Sequence, residues 1–361
     1  WHSSRIVGSI YNFFRSSAEA ARAVKAATGS QLVGLGYSRQ LRLEALEARQ
    51  LLSANRYVND TWIVTTNNVG GPGADAGDIV MSDTGAGDAP VAGLVFGTDA
   101  FDTIPAAVAA SGDGVGDTVT VLKGNYSGTV NLNKSLSLLG QSAADVIVNA
   151  GGSPGVEVAA GKMALVDDLT FQNFGVAGTG VSVKGNLTLT DSVINGGLIG
   201  IDVNGATNGH LTMSGTKVTG ATVFGVNVGG GAGGSAAINH SEISIASGAA
   251  ADVNVSDGSA TINTSKLATT SNTSKGLLVT SSGAASINAS DLSGIVSGGK
   301  AISNATVGAY VVDASDNWWG TAATSDTAVL ALTEGNVDIT PYRDAATTTD
   351  LDGGAVGFVG S

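Results

Sequence analysis

Along the second half of this chain, apolar and small polar residues keep a strict register. Leu189, Met213, Ile238, Ile262, Ile287 and Val312 each stand three positions before a hydroxyl residue, respectively Ser192, Thr216, Ser241, Ser265, Ser290 and Ser315. The hydroxyl residues follow one another at spacings of 24, 25, 24, 25 and 25. A unit this short cannot bury a core alone, so copies must stack and share one. Two positions after the hydroxyl comes another apolar residue: Ile194, Val218, Ile243, Leu267 and Leu292. An odd separation puts the two apolar sets on opposite faces of a straight strand. Both face inward only if the chain turns a corner between them. The corner is predicted at Thr190, Ser214, Asn239, Asn263, Asn288 and Asp313, short polar residues that bond their own main chain.

A further strand in each repeat reads Val181-Ser-Val183, Ile201-Asp-Val203, Val226-Asn-Val228, Val253-Asn-Val255 and Leu277-Leu-Val279, usually after a glycine. No helix-period stretch separates these strands, which excludes leucine-rich and α-solenoid repeats. The pattern predicts an all-β fold, a single-stranded parallel β-helix of about eight rungs with strands stacked at roughly 4.8 Å. Strand twist leads us to expect a right-handed coil.

Composition sharpens this picture. Fifty-three glycines supply tight corners and only five prolines interrupt the ladders. Without cysteine, neither a disulfide framework nor a thiolate metal site exists. The net charge of −13 divides unevenly: residues 1–56 carry eight Lys/Arg against three Asp/Glu, residues 57–361 nine against 27. So acidic a body is unsuited to nucleic acid, whose phosphates need clustered cations. It suits solubility outside the cell. No stretch is long and apolar enough to span a membrane as a helix.

The chain is expected to comprise a basic leader over 1–56, helical or disordered, an entry strand and loop over 57–98, the β-helix over 99–343, and a linker over 344–361. Leu41-Arg-Leu-Glu-Ala-Leu-Glu-Ala-Arg49, continuing Gln50-Leu51-Leu52-Ser53-Ala54, resembles the "LEPR-XLL"-type N-terminal segment of planctomycete surface proteins. That resemblance implies export, with cleavage near Ala54. The opening on Trp1 and the Thr/Asp/Gly-rich end are expected of a piece of a larger polypeptide. Within the body, Phe101 to Ala110 reads as a short helix with Pro105 near its start, followed by Asp117 to Val121, Gly124 to Tyr126 and Lys134 to Gly140. This order resembles the opening of pectate-lyase-like β-helix proteins, in which a helix caps the open end of the coil. Asp316-Asn317-Trp318-Trp319-Gly320 and Gly335 to Tyr342 resemble their closing segment.

Candidate chemistry is sparse. Asp167 and Asp168 are the only adjacent acidic pair within the rungs, and with Asp191 and Lys217 on neighbouring corners they are the candidates for glycan cleavage. Polygalacturonases of this fold pair such aspartates with Asn-Thr-Asp, Gly-His-Gly and Arg-x-Lys segments; here Gly209-His210 is followed by Leu211, and the other two segments do not occur. Lyases of the fold need cations to hold a substrate carboxylate, yet Arg343 is the only arginine after residue 56. Lys217, Glu242, Lys266 and Asp291 alternate in sign at one repeat position, as a mutually neutralising column would. His210 and His240 are not equivalent in the repeat, which argues against a shared metal. Asp75, Asp78, Asp83 and Asp88 could offer oxygen ligands to Ca²⁺, without matching a known calcium loop. Trp318-Trp319 reads as a cover over the end of the core, and the hydroxyl ladder as a means of satisfying corner amides. The expectation is therefore a non-catalytic stalk or interaction module of an exported, surface-associated protein, able to meet extracellular polysaccharide or other surface components. The alternative is a polysaccharide lyase or glycoside hydrolase.

Overall fold

The structure is a computed structural model that describes residues 55–343, apart from 84–89, 153, 176–177, 307–309 and 321–324. The chain divides after residue 51, and all described residues belong to the second unit, 52–361. The expected leader and its export segment lie outside the described residues.

The second unit is a parallel β-helix of about eight turns, as the repeat predicts. One rung shows the plan. Asn186–Thr190 lies on a first face, Val193–Asn195 on a second, and Ile199–Asn204 on a third. The next rung repeats it with His210–Ser214, Lys217–Thr219 and Phe224–Gly229. Leu189 pairs in register with Met213, Ile194 with Val218, and Ile201 with Val226. The three faces grow into parallel sheets of twelve, seven and nine strands. Parallel pairing starts at Asn55–Val58, which receives Thr118–Val121 on one side and Ala100–Phe101 on the other.

Every inward residue of the repeat does what its apolar side chain requires. Leu189, Met213, Ile238, Ile262, Ile287 and Val312 are at most 1% exposed and belong to one continuous core. Stacking like on like removes each from water against its copies on adjacent rungs, with burial worth about 1.5–3 kcal/mol per large side chain.

The turn between the first and second faces differs from expectation by one residue. Left-handed backbone occurs at Asp168, Asp191, Gly215, His240, Thr264, Ala289 and Asp316, with φ between 43° and 60°. Asp191, Gly215, His240, Thr264 and Ala289 directly follow the predicted corner residues and Asp316 lies beyond Asp313, whereas Thr190, Ser214, Asn239, Asn263 and Asn288 end the first-face strands. Their carbonyls accept the register hydroxyl two residues later, from Ser192, Thr216, Ser241, Ser265 and Ser290. The bend must follow the strand's last ladder bond, so it falls on the next residue.

Two short helices close the coil near its ends. α1 (Ile104–Ala110) starts at Thr103, whose hydroxyl accepts the Ala106 N–H, and buries Ile104, Ala107 and Val108. Lys134 Nζ donates to Ala109 O and Ser111 O, where the helix leaves carbonyls unbonded. α2 (Asp326–Leu330) buries Val329, and Lys300 Nζ donates to Ala331 O at 2.7 Å. Before α1, Trp62–Thr66, Ile79–Ser82 and Ala92–Val95 form a small antiparallel sheet.

Candidate functional site

The edge between the first and second faces collects the predicted carboxylates. Asp167 ends the strand Met163–Asp167 and its Oδ1 accepts from the Thr190 hydroxyl on the next rung. Asp168 follows in the left-handed conformation and donates its N–H to Thr190 O at 3.3 Å. Asp191 repeats that conformation one rung on and donates its N–H to Ser214 O at 3.1 Å. Its Oδ1 leans across Gly215, where an added Cβ would lie 2.0 Å away. Burial, followed by the negative charges of Asp167 and Asp191, raises the Asp168 carboxyl above the usual carboxylate range. A carboxyl so shifted has one property of a general acid.

Lys217 does not join this group. It starts the strand Lys217–Thr219, and its Nζ lies 3.3 Å from Glu242 Oε2 on the following rung. In register beyond them come Lys266 and Asp291, so four charges of alternating sign form the column that the repeat implied. The structure thus gathers three of the four candidates at one edge and commits the cation to the second face.

The register hydroxyls are wholly internal. Ser192, Thr216, Ser241 and Ser265 are 0% exposed, and Ser290 is 1% exposed. Ser241 Oγ accepts the Thr216 N–H, Ser265 Oγ that of Ser241, and Ser290 Oγ that of Ser265. These bonds satisfy amides that the corner removes from the sheets. The last step departs from the repeat: Asn317, not Ser315, takes the next place, with its Oδ1 accepting the Ser290 N–H at 2.9 Å. Its Nδ2 donates to Ile287 O and Ala314 O. One amide thus accepts from one backbone N–H and donates to two carbonyls, a set of bonds that a hydroxyl with its single proton does not supply. Trp319 is buried in the main core beside it.

Asp78 is fully buried, and its carboxylate accepts the N–H groups of Asn68, Val69 and Asp75. These bonds, that from Asp75 foremost, hold it below the usual carboxylate range. It therefore organises the 68–78 loop. Asp75 and Asp83 lie nearby in sequence, Asp88 lies outside the described residues, and no group of three or more His, Asp or Glu side chains converges among the described residues. His210 Nδ1 contacts Ser235 Oγ at 2.6 Å on the first face, while His240 occupies the left-handed corner.

One residue escapes the pattern reading. Asp252 stands in a column formed otherwise by Gly180, Gly200, Gly225, Gly276 and Ala301, and it is 0% exposed. Its signal in the sequence is the absence of the glycine that usually precedes the third-face strand. No helix among the described residues is long and apolar enough to cross a membrane. No protein-family model and no curated protein matches the chain.

Proposed function

We propose that this chain is a non-catalytic stalk or interaction module of an exported, surface-associated protein. One observation carries the reading: the ionic and hydroxyl groups that a glycan-cleaving site would draw on already serve the coil. Lys217 pairs with Glu242, Asp167 accepts from Thr190, and the register hydroxyls bond corner amides. What such a rod presents is its outward first face. There Asn186, Thr188, His210, Thr212, Ser235, Ser259 and Thr261 lie in register across four rungs with no Asp, Glu, Lys or Arg among them. On a body with nine Lys/Arg against 27 Asp/Glu, that strip suits an uncharged, hydroxyl-rich surface component. The basic leader resembling an export segment, the acidic body and the likeness to pectate-lyase-like coils support a place outside the cell. Fold alone supplies no activity.

A second reading rests on Asp168. Its raised carboxyl beside Asp167 and Asp191 is the one feature that favours a lyase or hydrolase acting on extracellular glycans. The two readings separate in one assay. The purified chain is incubated with pectin, alginate and neutral glycans, and new reducing or unsaturated ends are quantified. We expect none; cleavage that Asp168→Ala abolishes would replace the stalk by the enzyme.

A further inference from the structure

The edge between the second and third faces carries loops that change from rung to rung: 196–198, 220–223 and 245–250. They stack on one another, with Val223 N–H on Leu198 O, Ala246 N–H on Ala221 O and Ala250 N–H on Val223 O. Beneath them Ala221, Ile245 and Ala249 form a small apolar cluster separate from the main core. Asp252 is the second residue of the next strand, Ala251–Val255, at the base of this ledge. Its column allows little room: a Cβ on Gly225 would lie 2.6 Å from Asp252 O, and one on Gly200 2.6 Å from Gly225 O. Yet here a carboxyl is enclosed. Oδ1 accepts the Ile245 N–H at 3.2 Å, the Ala268 backbone amide of the next rung also favours the charged carboxylate, and Oδ2 is buried without a hydrogen-bond partner.

We propose that Asp252 is the latch of a pH-responsive flap, with residues 245–250 packed on the coil while the carboxyl is neutral and lifting when it ionises. A buried carboxylate oxygen with no donor is costly when charged, and lifting the loop lets water reach it. The ionisable side chains on the elements around it are Glu242 and Lys266, which alternate outward from Ile243 and Leu267, and Lys275 on the next third-face strand. Glu242 is paired with Lys217. Burial is the dominant influence on Asp252 and raises it well above the usual carboxylate range; the two amides oppose that rise. Because the closed-state value lies above the open-state one, the closed loop is favoured fully below the ordinary aspartate value. That preference is lost as pH rises through the closed-state value.

The test is amide hydrogen exchange on the intact chain across a pH series, corrected for intrinsic exchange. Between the two values, protection of the Ile245, Ala246 and Ala250 amides should fall about tenfold per pH unit. Amides of Asn186–Thr190 on the first face should keep theirs. In Asp252→Asn, the ledge amides should lose this dependence. Asp252→Gly, which restores the residue of the neighbouring rungs, should do the same. Ledge protection that is independent of pH in the unmodified chain, or that keeps its slope in either variant, overturns the proposal.

Discussion

At a corner, one hydroxyl joins two rungs. Ser241 Oγ accepts the Thr216 N–H in a buried bond and donates to Asn239 O, and Ser241 itself is out of water. Ser241→Ala leaves a buried amide unbonded, which should destabilise by about 1–3 kcal/mol. The shift in urea midpoint at unchanged m-value measures it. Asp168 offers a contrasting case, since its left-handed backbone tolerates asparagine and its carboxyl is raised by burial and by two like charges. Stability due to the neutral carboxyl is full below the ordinary aspartate value and declines as pH rises through the raised one. Asp168→Asn should therefore raise the melting temperature at pH 7 and leave it nearly unchanged at pH 3. An equal rise at both pH values would show that charge is not the cause.

Strands here have little stability of their own, because the second-face segments, such as Lys217–Thr219, span only three or four residues. They persist because inward residues pack against copies above and below. Ile238 has no exposure, so Ile238→Ala should cost about 2–5 kcal/mol by lost transfer energy and a cavity between rungs. Ala237 is its neighbour on the same strand but lies on the outward side, and Ala237→Ser should change stability by less than about 0.5 kcal/mol. Chemical denaturation of the pair distinguishes the two sides. The helix α1 acts at this scale too: its buried Ile104 and Val108 lie over the opening strands and keep them from pairing with another chain.

At the largest scale the β-helix is a linear sum of rungs, so it should accept the loss of a complete one. Removing residues 216–240 joins Gly215 to Ser241 and keeps the register, since Ser241 then takes the place of Thr216, its equivalent on the preceding rung. The shortened chain should retain its β circular dichroism and unfold cooperatively at lower denaturant concentration. Removing 216–228 joins a corner to the middle of a rung and should abolish folding. Equal tolerance of both deletions would contradict the nearest-neighbour account.

The repeat was legible because a stacked coil imposes the same environment on each copy. Leu189 and its equivalents had to be apolar, and Ser192 and its equivalents small and hydroxylic, wherever the chain turned. Fold class, rung length and the inward column therefore followed from periodicity alone. Other features depend on which atoms meet between rungs. The bend fell on Asp191 rather than Thr190 because the ladder bond of the strand had to be completed first. Asn317 takes the place due to Ser315 because its amide bonds Ser290 N–H and two carbonyls at once, which a hydroxyl does not. The gathering of Asp167, Asp168 and Asp191 apart from Lys217 was a matter of side-chain direction, which spacing leaves open. Asp252 read as one polar residue beside a strand, and only the packing of the ledge made it a buried carboxyl with a free oxygen. Periodicity reports the environment that all rungs share; what distinguishes one rung from another is decided by contacts between residues distant in sequence.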